Sequence, residues 1–262
     1  MTISRMTIAG MAALLLTAIA AYPALAQEKL VTTDAAVRTM LAFKVSDAAL
    51  HTLLPAGWQS SPFSAGASKD ANVTVTFVHP IVAQGPDGQP QELIEIAAVS
   101  LIAKRTGTEA TVPLVFAGFA SKPSYVPGPY GTFEIAKANV EHSVHTDPTG
   151  TSSVRESWEF TGDNAKSIQL ELQYVRGPAV RGRTEAKPHS AKTPDFYRIY
   201  RIEQASDVVR SAVTGTDRVQ KIAFKVAGQP FAQLFDGTEQ LISVTSLPFF
   251  TRQVSLPSSG TQ

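Results

Sequence analysis

Few residues in this chain have side chains suited to chemistry, and they are scattered. The five histidines are His51, His79, His142, His145 and His189, and only His142 and His145 lie close together. With Glu141 and Asp147 beside them, they offer the nitrogen and oxygen donors that a zinc-like ion takes. On a strand, however, residues three apart point to opposite faces, so a shared ion would need a bend, and no metal is expected. The absence of cysteine removes disulfide scaffolds, thiolate metal sites, cysteine nucleophiles and redox dithiols together. No G-x-S-x-G elbow, P-loop or dinucleotide fingerprint occurs, so no cofactor is expected. The one basic cluster, Arg181, Arg183, Lys187 and Lys192, lies in residues 177–193. It reads as a mobile solvated loop or as a basic lid over an anionic ligand, and composition favours the loop.

Charge says little about partners. Lys+Arg total 23 against 22 Asp+Glu, and charged residues make up 17% of the chain, which is neither a polybasic nucleic-acid binder nor an acidic tail. Aromatic residues such as Phe249, Phe250, Trp158 and Tyr197 read as core rather than as base-stacking platforms. At 262 residues and 44% hydrophobic, the chain can bury a sizeable core.

The elements that must position any site are mostly strands. Residues 37–45, 72–82, 92–103, 112–119, 132–144, 152–160, 167–176, 196–203, 219–226 and 249–256 are rich in Val, Ile, Phe and Thr. Alternation is clearest in Asn72-Val73-Thr74-Val75-Thr76-Phe77 and Ser167-Ile168-Gln169-Leu170-Glu171-Leu172. Turn clusters such as Gln84-Gly85-Pro86-Asp87-Gly88 and Asp147-Pro148-Thr149-Gly150 separate them, a spacing that favours a barrel or sandwich. Ser46-Asp47 can cap a short helix ending before Pro55, and a second helix is predicted over 204–213.

The N-terminal 26 residues read differently. One positive charge at Arg5, an apolar run over about residues 8–21 and Ala24-Leu25-Ala26 make a secretory signal peptide cleaved after Ala26. The apolar run is shorter than the roughly 20 residues a membrane-spanning helix needs. The expectation is a periplasmic or secreted protein, residues 27–262, forming one domain with no membrane association after cleavage. Loss of Arg5 leaves 22 basic and 22 acidic residues, so neither nucleic acid nor another polyanion is an expected partner.

Four segments in order carry a family resemblance. They are Leu41-Ala42-Phe43-Lys44-Val45-Ser46-Asp47 through Leu53-Leu54-Pro55, Gln91-Glu92 with Ala98-Val99-Ser100-Leu101, Thr193-Pro194-Asp195-Phe196-Tyr197-Arg198-Ile199, and Ala232-Gln233-Leu234-Phe235-Asp236 with the closing Leu256-Pro257. Together the chain resembles the acetoacetate decarboxylase superfamily across about residues 37–257. The resemblance implies a mainly β (α+β) fold, a large twisted antiparallel β-barrel with a central cavity and a few short helices. It also implies a homo-oligomer and a small carboxylate or keto-acid ligand.

Family enzymes decarboxylate a β-keto acid through a lysine imine, which accepts the electrons released with CO₂. The amine must be neutral to attack, although a free lysine titrates near pH 10.4, so burial and a neighbouring cation must lower it. The family motif is aromatic-Pro-Lys-Lys. Here the matching stretch is Phe133-Glu134-Ile135-Ala136-Lys137, which puts Ile135 and Ala136 at the lysine pair and Lys137 two residues beyond the first. A two-residue shift keeps the strand face, so Lys137 is the candidate nucleophile, with a solvent-facing strand lysine as the alternative. Glu92 matches the family's active-site glutamate, and Arg38 is the nearest candidate for its arginine, suited to gripping a carboxylate with two N–H groups. Two functions follow: a barrel that binds a small organic acid with weakened or lost decarboxylase activity, or an active carbon–carbon lyase. The missing lysine pair and the leader favour binding; Glu92 favours the lyase.

Overall fold

The computed structural model describes residues 28–257; the expected leader lies outside them. Fourteen strands follow in order: β1 (Lys29–Lys44), β2 (Trp58–Ser60), β3 (Val73–Gln84), β4 (Ile96–Arg105), β5 (Thr111–Ala120), β6 (Phe133–Thr146), β7 (Ser152–Gly162), β8 (Ser167–Val175), β9 (Val180–Ala186), β10 (His189–Ser190), β11 (Ile199–Ser211), β12 (Thr216–Asp217), β13 (Val219–Ala227) and β14 (Gln240–Leu256). The single α-helix among the described residues, α1 (Asp47–Leu53), starts where expected. Ser46 caps it by accepting a hydrogen bond from the Ala49 N–H, and Leu50 is its buried anchor.

The strands form one twisted sheet in the order β12-β11-β14-β1-β3-β4-β5-β6-β7-β8-β13. Two features correct the expected antiparallel barrel. The sheet is mixed, because β5 pairs in parallel with both β6 and β10. It is also not closed, since β12 and β13 end it without a shared ladder. Arg218, between those end strands, ties the ends instead. Its N–H donates to Val209 O at 2.8 Å, its guanidinium donates to Val175 O (2.9 Å) and Val208 O (2.7 Å), and it pairs with Asp207.

Two local expectations also change. Residues 204–211 belong to β11 and residues 212–213 to the turn after it, because the stretch 204–211 has β14 on one side and β9 and β12 on the other. Asp207, Val209 and Ser211 alternate inward, the period of a strand, and the ladders on both sides outweigh local helix propensity. The basic stretch expected as a loop contains β9, an exposed strand whose Arg181 and Arg183 both pair with Glu203 of β11.

The main core lies where β6–β8 and β13 pack across the sheet's other limb. On β7 and β8 the inward residues Val154, Trp158, Phe160, Ile168, Leu170, Leu172 and Tyr174 recur every second position, so each strand buries one face. Phe77 of β3 meets Trp158 and Phe160 at ring-centroid distances of 5.4 and 6.3 Å. Trp158 and Phe250 are core, as expected, whereas Phe249 is exposed.

Candidate functional site

A cavity of about 390 Å³ with mixed polar and apolar lining opens beside β1, β3, β11 and β14, on the side of β1 away from the main core. Two prolines inside strands explain how the walls face one way. Proline cannot donate to a ladder, so within a strand it marks an edge or a bulge. At Pro80 the β1–β3 register shifts between Ala35↔Val82 and Ala36↔Pro80, leaving Ile81 extra and pointed at solvent. At Pro248 the β1–β14 register shifts between Ala36↔Phe250 and Arg38↔Leu247. Each bulge reverses the parity of its strand, because one added residue flips every side chain that follows. Val78, Pro80 and then Ala83 therefore line the same cavity as Asp34 and Ala36 of β1 and Arg252 and Val254 of β14. Arg198 and Tyr200 enter from the start of β11, and Glu92, Ser124 and Tyr125 from the connections flanking β4 and β5.

The segment carrying Tyr125 is seated by Phe133. Its ring packs against Tyr125 at a centroid distance of 5.7 Å and occupies the space a side chain would need at Gly118 and Gly128. A Cβ at Gly118 would fall 2.6 Å from Ala97 O and 2.7 Å from that ring. Tyr130 then shares a hydroxyl–hydroxyl hydrogen bond with Tyr200.

The polar groups are unevenly matched. Arg252 donates through Nε and Nη2 to one oxygen of Asp34, at 2.9 and 2.6 Å, and stands 4.4 Å over the Tyr200 ring. Arg38 stacks 3.4 Å over Phe250, with Nη2 3.7 Å from the other Asp34 oxygen, beyond hydrogen-bond reach. Arg38 Nε and Nη2, Arg198 Nε and Asp34 Oδ1 are all buried without a partner. Burial, with repulsion from Arg252, pushes the Arg38 guanidinium down to about 9. Burial also penalises the Arg252 cation, but Asp34 and Tyr200 more than offset this and hold it above its ordinary value. The Tyr125 phenol is pushed up to about 12 by burial and then by Tyr200, and Tyr130 is raised for the same reasons.

Of the three residues singled out by sequence, the structure gathers two. Arg38 lies within the arginine–aspartate cluster, behind the wall formed by Asp34. Glu92 lines the cavity half-exposed, accepting from Ser124 and 3.7 Å from Lys122; it precedes β4 rather than starting the strand. Lys137 does not line the cavity. It is exposed on β6 in an open groove with Ile135, Thr161 and Asp163, while Ala136 turns into the core. No lysine is among the residues lining the cavity. His142 and His145 lie on exposed β6, and no cluster of three potential ligands suited to a metal occurs among the described residues. Sequence reasoning missed Asp34, Tyr125, Arg198, Tyr200 and Arg252. A signal existed in Phe250-x-Arg252-x-Val254, where a charge sits in step with apolar neighbours on one strand face.

No family model and no curated protein matches this chain. Solved structures do. The enduracididine biosynthesis enzyme MppR complexed with pyruvate superposes with a TM-score of 0.55 at 9% identity, covering 87% of this chain and 88% of that one. An acetoacetate decarboxylase-like enzyme from Sphingomonas wittichii RW1 gives 0.53 at 12% identity, covering 88% and 94%. Acetoacetate decarboxylase from Legionella pneumophila gives 0.51 at 10% identity, covering 87% and 85%. With nearly the whole length matched in each case, the chain has the acetoacetate decarboxylase-like fold.

Proposed function

We propose that this chain is an exported binding protein for a small organic acid, of the keto-acid class, and that it has lost the lysine-imine chemistry of its fold relatives. The observation that carries this reading is the cavity itself. Arg198 and Arg252 line it, buried N–H groups of Arg38 and Arg198 stand without partners, and no lysine amine lines it. A carboxylate can take two N–H groups from one guanidinium, which suits these walls. A carbonyl carbon held there has no amine to attack it, since Lys137 lies in another groove. The pyruvate bound by one fold neighbour gives the ligand class a precedent.

The test uses the mature protein. Calorimetry with pyruvate and acetoacetate is expected to register binding, while borohydride treatment with either acid yields no adduct at any lysine by mass spectrometry. An adduct on Lys137, lost together with CO₂ release in Lys137→Met, would establish the lyase reading instead. No binding of any keto acid would end the binding reading. Export rests on Arg5, the apolar run and Ala24-Leu25-Ala26. Expressed in a Gram-negative host, the protein is expected to begin at Gln27 by N-terminal mass analysis; a full-length membrane-bound product would contradict export.

A further inference from the structure

We infer that the cavity selects a ligand carrying two negative charges, a short dicarboxylic acid rather than a monocarboxylate. The inference rests on the binding reading above and goes on to name its ligand class. It starts from a charge count. Three guanidiniums, those of Arg38, Arg198 and Arg252, meet in and behind one wall, and the buried carboxylate among them is Asp34. One Asp34 oxygen is taken twice by Arg252, and the other has no hydrogen-bond partner. Glu92 also faces the cavity, but it sits at the half-exposed rim, where Lys122 and Ser124 already match it. The cluster therefore carries two uncompensated positive charges.

Charges withdrawn from water cost several kcal/mol each unless they are paired, so a cluster built this way favours an anion that supplies what is missing. A monocarboxylate supplies one charge and leaves the second uncompensated. Among the three, Arg38 is the one most withdrawn from water: it is 8% exposed, and two of its N–H groups have no partner. Ala36, Val78, Ile94, Ile96 and Val254 give the same cavity apolar lining, which suits a short carbon chain between two charged ends. A volume of about 390 Å³ accommodates such a chain.

Isothermal titration of the mature protein with 2-oxopentanoate and 2-oxoglutarate isolates the second charge, because the two acids share length and keto group. The expected result is 2-oxoglutarate binding about tenfold or more tightly, with the difference shrinking as salt rises. Arg198→Met, folded by circular dichroism, is expected to lose most of that preference. Equal affinities, or a preference for 2-oxopentanoate, would overturn the dianion inference and leave the keto-acid reading standing. Binding of neither acid would overturn both. Inorganic phosphate binding as tightly as 2-oxoglutarate would overturn the dicarboxylate class, and a folded Arg198→Met with undiminished preference would overturn the role of the arginine cluster.

Discussion

Two buried polar clusters lie on opposite faces of β1, and they are built on opposite terms. On the core face, Glu156 accepts from Thr39, from Trp158 Nε1 at 2.9 Å and from the Tyr174 hydroxyl at 3.1 Å. The Tyr174 oxygen in turn accepts from the Ser246 hydroxyl at 2.7 Å, and none of these side-chain atoms is left without a partner. On the cavity face, Asp34 and Arg38 keep unpartnered atoms a few residues along the same strand. Buried polar groups are nearly always satisfied in folded proteins, so the core-face network reads as structure, while the unpartnered atoms of the cavity-face cluster are what supports the proposed binding role. The bulges at Pro80 and Pro248 fall beside the second cluster, where they re-aim neighbouring strands.

If that contrast is right, the two faces respond oppositely to loss of charge. Glu156→Ala strands three buried donors and opens a void, so it is expected to destabilise by about 3–5 kcal/mol. Arg38→Met removes a cation whose partners are incomplete while leaving Asp34 to Arg252. The loss of its stacking on Phe250 is offset by the removed desolvation cost, so the stability change is expected to stay within about 1 kcal/mol. Keto-acid affinity should fall in Arg38→Met even though stability does not. Urea denaturation of both variants, compared at unchanged m, measures the first contrast. A strongly destabilised Arg38→Met would mean that the cavity-face cluster is structural as well.

The strands were legible because they alternate or run continuously apolar; the segments expected over 112–119, 152–160, 167–176 and 219–226 match β5, β7, β8 and β13 closely. The start of β1 was harder to see, because Thr32, Thr33 and Asp34 interrupt its apolar pattern, and Asp34 does so for the sake of the cavity. Residues 204–213 misled because Gln204, Ala205, Asp207 and Arg210 suit a solvated helix, while the ladders that make them a strand come from β9 and β14, distant in sequence. The site was only half legible. Glu92 and Arg38 stood out through the resemblance, whereas the rest of the cluster is assembled by bulges that no local pattern announces. Lys137 followed from sharing a strand face with Ile135, and it does share that face; but β6 turns Ala136 inward, so the face that carries Ile135 and Lys137 points outside.

Tyr125 gives the smallest effect and the finest test, because it belongs to the open cluster and its phenol is held up to about 12. In the unfolded chain a tyrosine ionises near pH 10, so the folded state keeps the proton longer. The stability this contributes is fully present below about pH 10 and is lost as pH rises from about 10 to about 12. Arg38 acts with the opposite sign. Its folded value of about 9 lies below its ordinary value, so the folded state releases that proton first, and a standing cost is relieved as pH climbs beyond about 9. Denaturation midpoints between pH 8 and 12 should therefore hold or rise slightly at first and then fall. Tyr130 and Tyr174, also raised mainly by burial, add to the fall. Tyr125→Phe should make the fall shallower by up to about 2–3 kcal/mol across that window, and Arg38→Met should remove the early plateau. A Tyr125→Phe protein with the same decline as the parent would show that Tyr125 is not held in a desolvated cluster, and the contrast between the two faces of β1 would lose one of its supports.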